Sequence, residues 1–272
     1  MSESHEQNFG FTDVDKDDDA DQLLIGMDAT ARWPAVQELH EWSEPLLQSD
    51  ALLDVGCGQG FALLALARAA GTGRFLGVDV STMMLDAART RASEAGLDVT
   101  FQEASATDLP FDDNEFDSIR CERVLQWLPD PQLAVDEMVR VVRPGGRIVL
   151  LDTYWRTFGT TADQELEAEM FSGPTVWPSP HAGGFLRNYL LTAGVSDVEV
   201  KTVVHHSTTW AEDSSDGLLP ADGLREFKIA SGMPAARVDR YIGELRRQSA
   251  AGTMSMVLTM WGATGTASSG QA

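Results

Sequence analysis

Hydrophobic positions set two rhythms along this chain. Between Leu23 and Leu47 they recur at helical spacing: Leu23, Leu24 and Met27 share a face, Pro34 interrupts, and Val36, Leu39 and Leu46 predict a second helix. From Ala51 short apolar runs alternate with longer amphipathic ones. ALLDV and RFLGVD read as strands with FALLALARAA as the helix between them. STMMLDAARTRASEAG reads as a helix with Ser81 placed to cap it. DVTFQ, FDSIRC and RIVLLD predict further strands, and LAVDEMVRVV a helix before RPGG. Alternation of this kind folds as right-handed βαβ units around a parallel sheet, so the expected class is α/β.

After Asp152 the rhythm breaks. Residues 154–183 are rich in Trp, Pro, Gly and Phe and fit neither a clean strand nor a clean helix. GGFLRNYLLTAG is helical again and DVEVKTVV a strand. A further stretch carries Val238, Tyr241, Ile242 and Leu245 at helical spacing, and GTMSMVLTMWGAT alternates as a last strand. The predicted organisation is an acidic arm (1–22), N-terminal cap helices (23–48), a core (49–153 and 184–209), a lid insertion (154–183), a helical insertion (210–250), and a last core strand and tail (251–272).

Charge narrows the partners. With 20 basic and 42 acidic residues the formal net charge is 20 − 42 = −22. An acidic surface repels phosphate polyanions and anionic lipid, so neither nucleic acid nor membrane is an expected partner. DVDKDDDAD reads as a solvated tail; it lacks the glycine and the terminal glutamate of a calcium loop. Phe9 and Phe11 beside it need an apolar place to dock. Cys57 and Cys121 are too few for a disulfide framework and form no zinc-type pair, so no metal is expected. MSESHEQNFG lacks the basic and apolar regions of a signal peptide, and no run of about 18 apolar residues suggests a span. The expected location is the cytoplasm. The oligomeric state is left open, a homodimer included.

The sharpest chemical signal is LLDVGCGQG, residues 52–60, a strand running through three glycines into a helix. Such a turn lets backbone approach a ligand where a Cβ would clash. Asp79 closes the next strand, where a carboxylate can accept ribose hydroxyls. An adenosine-type ligand across the strand ends is therefore expected. A dinucleotide is disfavoured because Phe61 occupies the small third position of G-x-G-x-x-G/A, and the phosphate-cradling G-x-x-x-x-G-K-[ST] pattern is absent. An amino-acid tail near Gly56 and Gly58 fits better than a pyrophosphate.

Residues from about 50 to 152 resemble the core of class I S-adenosylmethionine-dependent methyltransferases, in the ubiquinone/menaquinone-type and secondary-metabolite small-molecule branch. The likeness runs through LDVGCGQG, GVDVS, ASATDLPF (104–111), FDSIRCERVLQWLPDP (116–131) and EMVRVVRPGGRIVLLD (137–152). It implies a seven-stranded Rossmann-like sheet with an antiparallel last strand, and S-adenosyl-L-methionine as cofactor. It also implies that Asp54, Gly56, Gly58 and Gly60 surround the methionine part and Asp79 the ribose. Val80 and Met84 would pack on the adenine, and Ser105 and Ala106 meet its polar edge. Cys121 and Glu122 would lie beside the reacting methyl. Two positions depart from the pattern: Ser105 stands where relatives usually carry Asp, and Leu125-Gln126-Trp127 where they carry LQH. Trp127 is read as core.

Methyl transfer from a sulfonium is an in-line displacement that needs alignment and a dry pocket more than a strong catalytic side chain. A base is required only where the nucleophile must lose a proton. Glu122 and His181 are the candidates, His181 because it lies in the aromatic insertion; Asp152 is expected to orient its own loop. His205 and His206, adjacent in a strand, should face opposite ways. Phe11, Trp33, Tyr154, Trp155 and Trp177 are the expected substrate-pocket residues, in a mostly helical cap closing over the cofactor. The reading is a methyltransferase acting on O, N or C of a small apolar or aromatic metabolite. A non-catalytic cofactor-binding protein and a peptide methyltransferase stand as alternatives.

Overall fold

The computed structural model describes residues 29–171, 175–210 and 221–268. The acidic arm with Phe9 and Phe11 and the helical pattern expected at Leu23–Met27 lie outside them. Seven strands form one sheet: β1 (Ala51–Val55), β2 (Arg74–Asp79), β3 (Thr100–Glu103), β4 (Phe116–Glu122), β5 (Val142–Thr160), β6 (Ser196–Ser207) and β7 (Met256–Thr266), in the order β3-β2-β1-β4-β5-β7-β6. β1 to β5 are parallel, and β7 runs antiparallel between β5 and β6. The expected Rossmann-like sheet with a reversed last strand is present.

β1, central in the sheet, buries both faces, which is why ALLDV reads as an uninterrupted apolar run. Leu52 belongs to the apolar cluster on one face of the sheet, and Leu53 and Val55 to the cluster on the other. Helices α1 (Pro34–Ser43), α2 (Phe61–Ala70) and α3 (Thr82–Ala95) contribute to the first cluster, α4 (Pro131–Val141) and α6 (Ala182–Thr192) to the second. Their ends follow local chemistry. The Ser81 hydroxyl accepts the Met84 N–H at 3.2 Å to cap α3, and Asp130 accepts the Gln132 N–H at 3.1 Å ahead of Pro131 in α4. Gly183 sits where a Cβ would lie 2.6 Å from the backbone of Thr153, so α6 rests directly on β5.

One boundary differs from the sequence expectation. β5 does not stop at Thr153 but runs to Thr160, paired with β7 as far as Met256. Apart from exposed Arg156, residues 154–160 are half-buried rather than alternating, which removes the period that would mark a strand. The lid is therefore an outgrowth of the antiparallel half of the sheet, carrying α5 (Gln164–Phe171), α7 (Ala221–Ala230) and α8 (Ala235–Ala251). No helix among the described residues is long and apolar enough to cross a membrane.

Candidate active site

Strand order reverses between β1 and β4, and the crevice at the carboxyl ends of β1, β2 and β4 is where such sheets hold ligands. A cleft of about 310 Å³ opens there. It is lined by Gly56, Gly58, Asp79, Val80, Met84, Ser105, Ala106 and Glu122, so the structure brings these sequence-predicted residues to one place.

The turn after β1 is shaped by its own hydrogen bonds. The Gly56 and Cys57 N–H groups donate to the Val78 carbonyl at 2.8 and 2.9 Å, Gly58 N–H to the Asp79 carboxylate at 2.8 Å, and Gly60 N–H to the Cys57 carbonyl at 2.9 Å. With these amides engaged, the loop turns carbonyl oxygen to a ligand, an acceptor suited to an ammonium. Gly56 has φ +71°, and a Cβ there would fall 2.1 Å from a methyl of Val124 on the cleft wall. Asp79 is fixed by Gly58 and by the Ser81 N–H at 3.0 Å, at the end of β2 where a carboxylate can meet vicinal hydroxyls. Val80, Met84 and Ala106 supply apolar surface, and the Ser105 hydroxyl, 2.9 Å from that of Thr107, a polar edge. This set of groups fits S-adenosylmethionine: acceptors for the ammonium and ribose and apolar walls for the base.

Asp54, Gly60 and Cys121 do not reach the cleft. Gly60 turns into the core, where Ala88 and Phe101 lie about 3.1 Å from its would-be Cβ. Cys121 is buried in the opposite cluster, and burial raises its thiol well above the usual range, as it does for Cys57. Strand alternation explains the correction, because Arg120 and Glu122 face the cleft and the residue between them cannot. Asp54 lies beneath the cleft floor, its carboxylate taken up by Arg120.

That floor is a buried charge network. Arg120 Nη1 donates to Asp54 Oδ1 at 2.9 Å, and its other terminal nitrogen to Glu122. His40, from α1, places Nε2 2.8 Å from Glu122 Oε2, and Arg123 Nε lies 3.4 Å from Oε1. Burial alone would raise the Glu122 carboxyl, but Arg120, His40 and Arg123 outweigh it and hold the group well below the ordinary range. For Asp54 burial wins over Arg120 and the carboxyl is raised. Glu122, expected as a base, is thus fixed in its ionised, hydrogen-bonded form and is poorly suited to take a proton. Arg123 holds a left-handed backbone, φ +53°, and its guanidinium reaches the Thr30 hydroxyl, tying the N-terminal segment to the cleft. Sequence reasoning left Arg120, Arg123 and His40 outside the site; the alternation along FDSIRCE was the available signal for Arg120.

His181, the other expected base, begins α6 with its ring edge-on to Phe185 at 5.1 Å and lines neither this cleft nor the cavity beside it. Asp152 does orient its loop: buried, it accepts the N–H groups of Thr153 at 2.7 Å and Gln126 at 3.2 Å. Burial raises its carboxyl to about 7 against those bonds. Trp127, read as core, stands instead half-buried in the cleft wall.

Beside the cleft, the outgrown ends of β5 and β7 and the three lid helices enclose a second cavity of about 160 Å³. Trp155, Phe158, Phe171, Trp177, Trp210 and Met256 form much of its wall. Trp155 and Trp177 stack at 3.7 Å between centroids. The Trp155 indole donates to the Gln126 amide oxygen at 2.7 Å, and Gln126 itself lines the cleft, so the two spaces adjoin at this pair of side chains. Of the other expected pocket residues, Trp33 is buried against His205, stacked at 3.8 Å, and packs the cap onto the sheet. Tyr154 lies edge-on to Trp261 at 6.1 Å and lines neither space. Trp33 and Tyr154 are therefore packing residues. His206 is exposed on the side of β6 away from His205.

Residues 53–150 match the family described as "Methyltransferase domain". A ubiquinone/menaquinone biosynthesis C-methyltransferase of Bdellovibrio bacteriovorus is 35% identical over 119 residues, 42% of this chain and 51% of that protein, so the chain spans about half of that relative's length. A demethylmenaquinone methyltransferase of Shouchella clausii is 30% identical over 194 residues, covering 70% of this chain and 73% of its own. Among solved structures, the YcgJ protein of Bacillus subtilis superposes with a TM-score of 0.63 at 21% identity over 86% of this chain and all of that one, a likeness of fold. Glycine turn, ribose-type carboxylate, sheet order and relatives converge: the chain belongs to the class I S-adenosylmethionine-dependent methyltransferases.

Proposed function

We propose that this protein methylates an O, N or C atom of a small, largely apolar or aromatic metabolite. The observation that carries the reading is the aromatic cavity adjoining the cofactor cleft. Relatives named for menaquinone and ubiquinone synthesis support a planar, apolar acceptor. Gly56, Gly58 and Asp79 would hold the methyl donor, with Val80, Met84, Ser105 and Ala106 around its base. Bound there, S-adenosylmethionine supplies a methyl group on a sulfonium, a leaving group that needs no acid.

The chain's own residues do the rest. Trp155, Trp177 and the lid helices exclude water and align the acceptor in a space with few polar groups, where proximity and orientation lower the barrier. The fixed negative charge of Glu122 sits by the cleft with Arg120 beneath it. Among the described residues His40 is the imidazole that lines the cleft, and so the side chain placed to take a proton should the acceptor atom need to lose one. Its Nε2 lies 2.8 Å from Glu122 Oε2 and 3.3 Å from an Arg120 terminal nitrogen, which ties the ring to the cleft floor. The N-terminal segment and the two insertions act together as the cap. Two free, buried thiols fit a reducing cytoplasm.

The test is incubation with S-adenosylmethionine labelled on its transferable methyl and fractionated host extract. Label in an apolar small-molecule fraction is the expected result. Label confined to protein would overturn the small-molecule reading in favour of a peptide acceptor.

A further inference from the structure

Between β3 and β4 the chain runs through residues 104–115 without a helix or strand of its own, and Ser105 and Ala106 line the cofactor cleft from the start of that segment. Such a segment takes its place from whatever binds its backbone. Ala104 N–H donates to the Asp79 carbonyl at 3.0 Å, and Asp108 N–H to the Ser105 carbonyl at 3.1 Å, so residues 105–108 make a tight turn. Inside it the Ser105 hydroxyl accepts the Thr107 N–H at 3.2 Å. The exit of the turn is gripped from α4. Glu137 Oε2 accepts the Leu109 N–H at 2.9 Å, while Arg140 donates to the Leu109 carbonyl at 2.9 Å and to the Phe111 carbonyl at 2.8 Å. Arg140 also binds both oxygens of Glu137, at 2.7 and 2.8 Å, and Asp113 Oδ1 at 2.9 Å.

Glu137 and Arg140, three residues apart on one face of α4, thus serve this loop as a neighbouring strand would, meeting one N–H and two carbonyls. The planar fork of a guanidinium is what reaches two carbonyls and two carboxylates together. Leu109 is buried and Phe111 meets Phe116 edge-on, contacts that hold the segment down without directing its backbone. Neither Glu137 nor Arg140 lines the cleft, so their effect on it passes through the turn that Asp108 closes on Ser105. Adenine's polar edge carries an amino donor and a ring-nitrogen acceptor. The Ser105 hydroxyl can accept from the first, and the Ala106 N–H, which makes no hydrogen bond among the described residues, can donate to the second. Both are uncharged contacts, weaker than a carboxylate would give and sensitive to distance and angle. We propose that Glu137 and Arg140 are positioning residues for the methyl donor, holding residues 105–106 against adenine, so that selectivity for its amino edge over a 6-oxo purine depends on a side-chain pair outside the cleft. This rests on the placement of Ser105 and Ala106 at the base, and adds what holds them there.

S-adenosylhomocysteine and S-inosylhomocysteine, which differ only in the 6-amino or 6-oxo group and the proton on N1, are the probes, titrated into the full chain by calorimetry. The wild type should prefer the adenine form by about tenfold or more. Arg140→Met should weaken S-adenosylhomocysteine about tenfold and leave S-inosylhomocysteine within about twofold, so the preference narrows toward parity. Arg140→Lys keeps the charge beside Glu137 but not the fork, and should fall between. Arg143→Met removes an arginine paired with Asp117 rather than with the loop, and should keep the wild-type preference whatever it does to Tm. A wild type that binds both probes alike overturns the placement of residues 105–106 at the adenine edge, and the proposal with it. A wild type that discriminates, with an unchanged preference in Arg140→Met, overturns the positioning role alone. Should Arg140→Met fail to fold, an unchanged preference in Arg140→Lys does the same.

Discussion

Arg120→Met is the sharpest perturbation of the cleft floor. The guanidinium is buried with a side-chain exposure of 5%, and it serves two carboxylates exposed by 1% and 9%. Removing one partner of a buried ion pair typically costs about 3–5 kcal/mol, because the remaining charge stays desolvated. Here two charges are left, in a fold whose whole stability is of order 5–15 kcal/mol. Methionine refills most of the volume, so the loss measured is electrostatic rather than a cavity. The pH dependence identifies it. In the wild type the Glu122 carboxyl is depressed, so its contribution is present above the unfolded value near 4.5 and is lost as pH falls through the folded one. Without Arg120 burial becomes the larger influence and the folded value moves upward. Stability of the variant then falls as pH rises, each unit of displacement being about 1.4 kcal/mol. Urea unfolding at pH 5 and pH 7.5 should therefore show a deficit that is larger at pH 7.5. Adding Asp54→Asn and Glu122→Gln should recover much of it. A deficit below about 1 kcal/mol, the size of an exposed pair, or one equal at both pH values, would refute the buried network.

Other outcomes follow from the same geometry. Trp155→Ala or Trp177→Ala should raise KM for the acceptor and leave the Kd for S-adenosylmethionine unchanged; equal loss of both would end the division between cavity and cleft. Asp79→Asn should weaken cofactor binding about tenfold or more, measured by calorimetry, since charged acceptors make the stronger hydrogen bonds. Asp152, raised to about 7 by burial, costs stability as pH rises from about 4 through 7; Asp152→Asn should flatten that slope in pH-dependent unfolding, and an unchanged slope would assign it elsewhere.

The two halves of the site differed in legibility for a physical reason. The cofactor half is local. A strand, a glycine turn and a helix lie within residues 51–70, and Asp79 closes the neighbouring strand, so spacing alone brings Gly56, Gly58 and Asp79 to one crevice. Even there Cys121, which the resemblance implied beside the reacting methyl together with Glu122, does not line the cleft. The alternation that buries Ile119 and Cys121 in one cluster turns Arg120 and Glu122 to the cleft. The half proposed for the acceptor is assembled from β5, α5, α7, α8 and β7, whose contacts no local pattern encodes. In such a set an aromatic residue reads the same whether it packs or lines: Trp33 locks α1 onto β6 through His205, while Trp155 and Trp177 wall a cavity. Tyr241 shows the limit most clearly. At helical spacing with Val238, Ile242 and Leu245 it is one more core position, and its ring does pack as one. Only its surroundings, supplied by other segments, place that ring at the edge of a cavity. Local motifs can therefore carry the methyl donor, which a short segment holds, while the acceptor's identity resides in tertiary contacts and must be read from the fold.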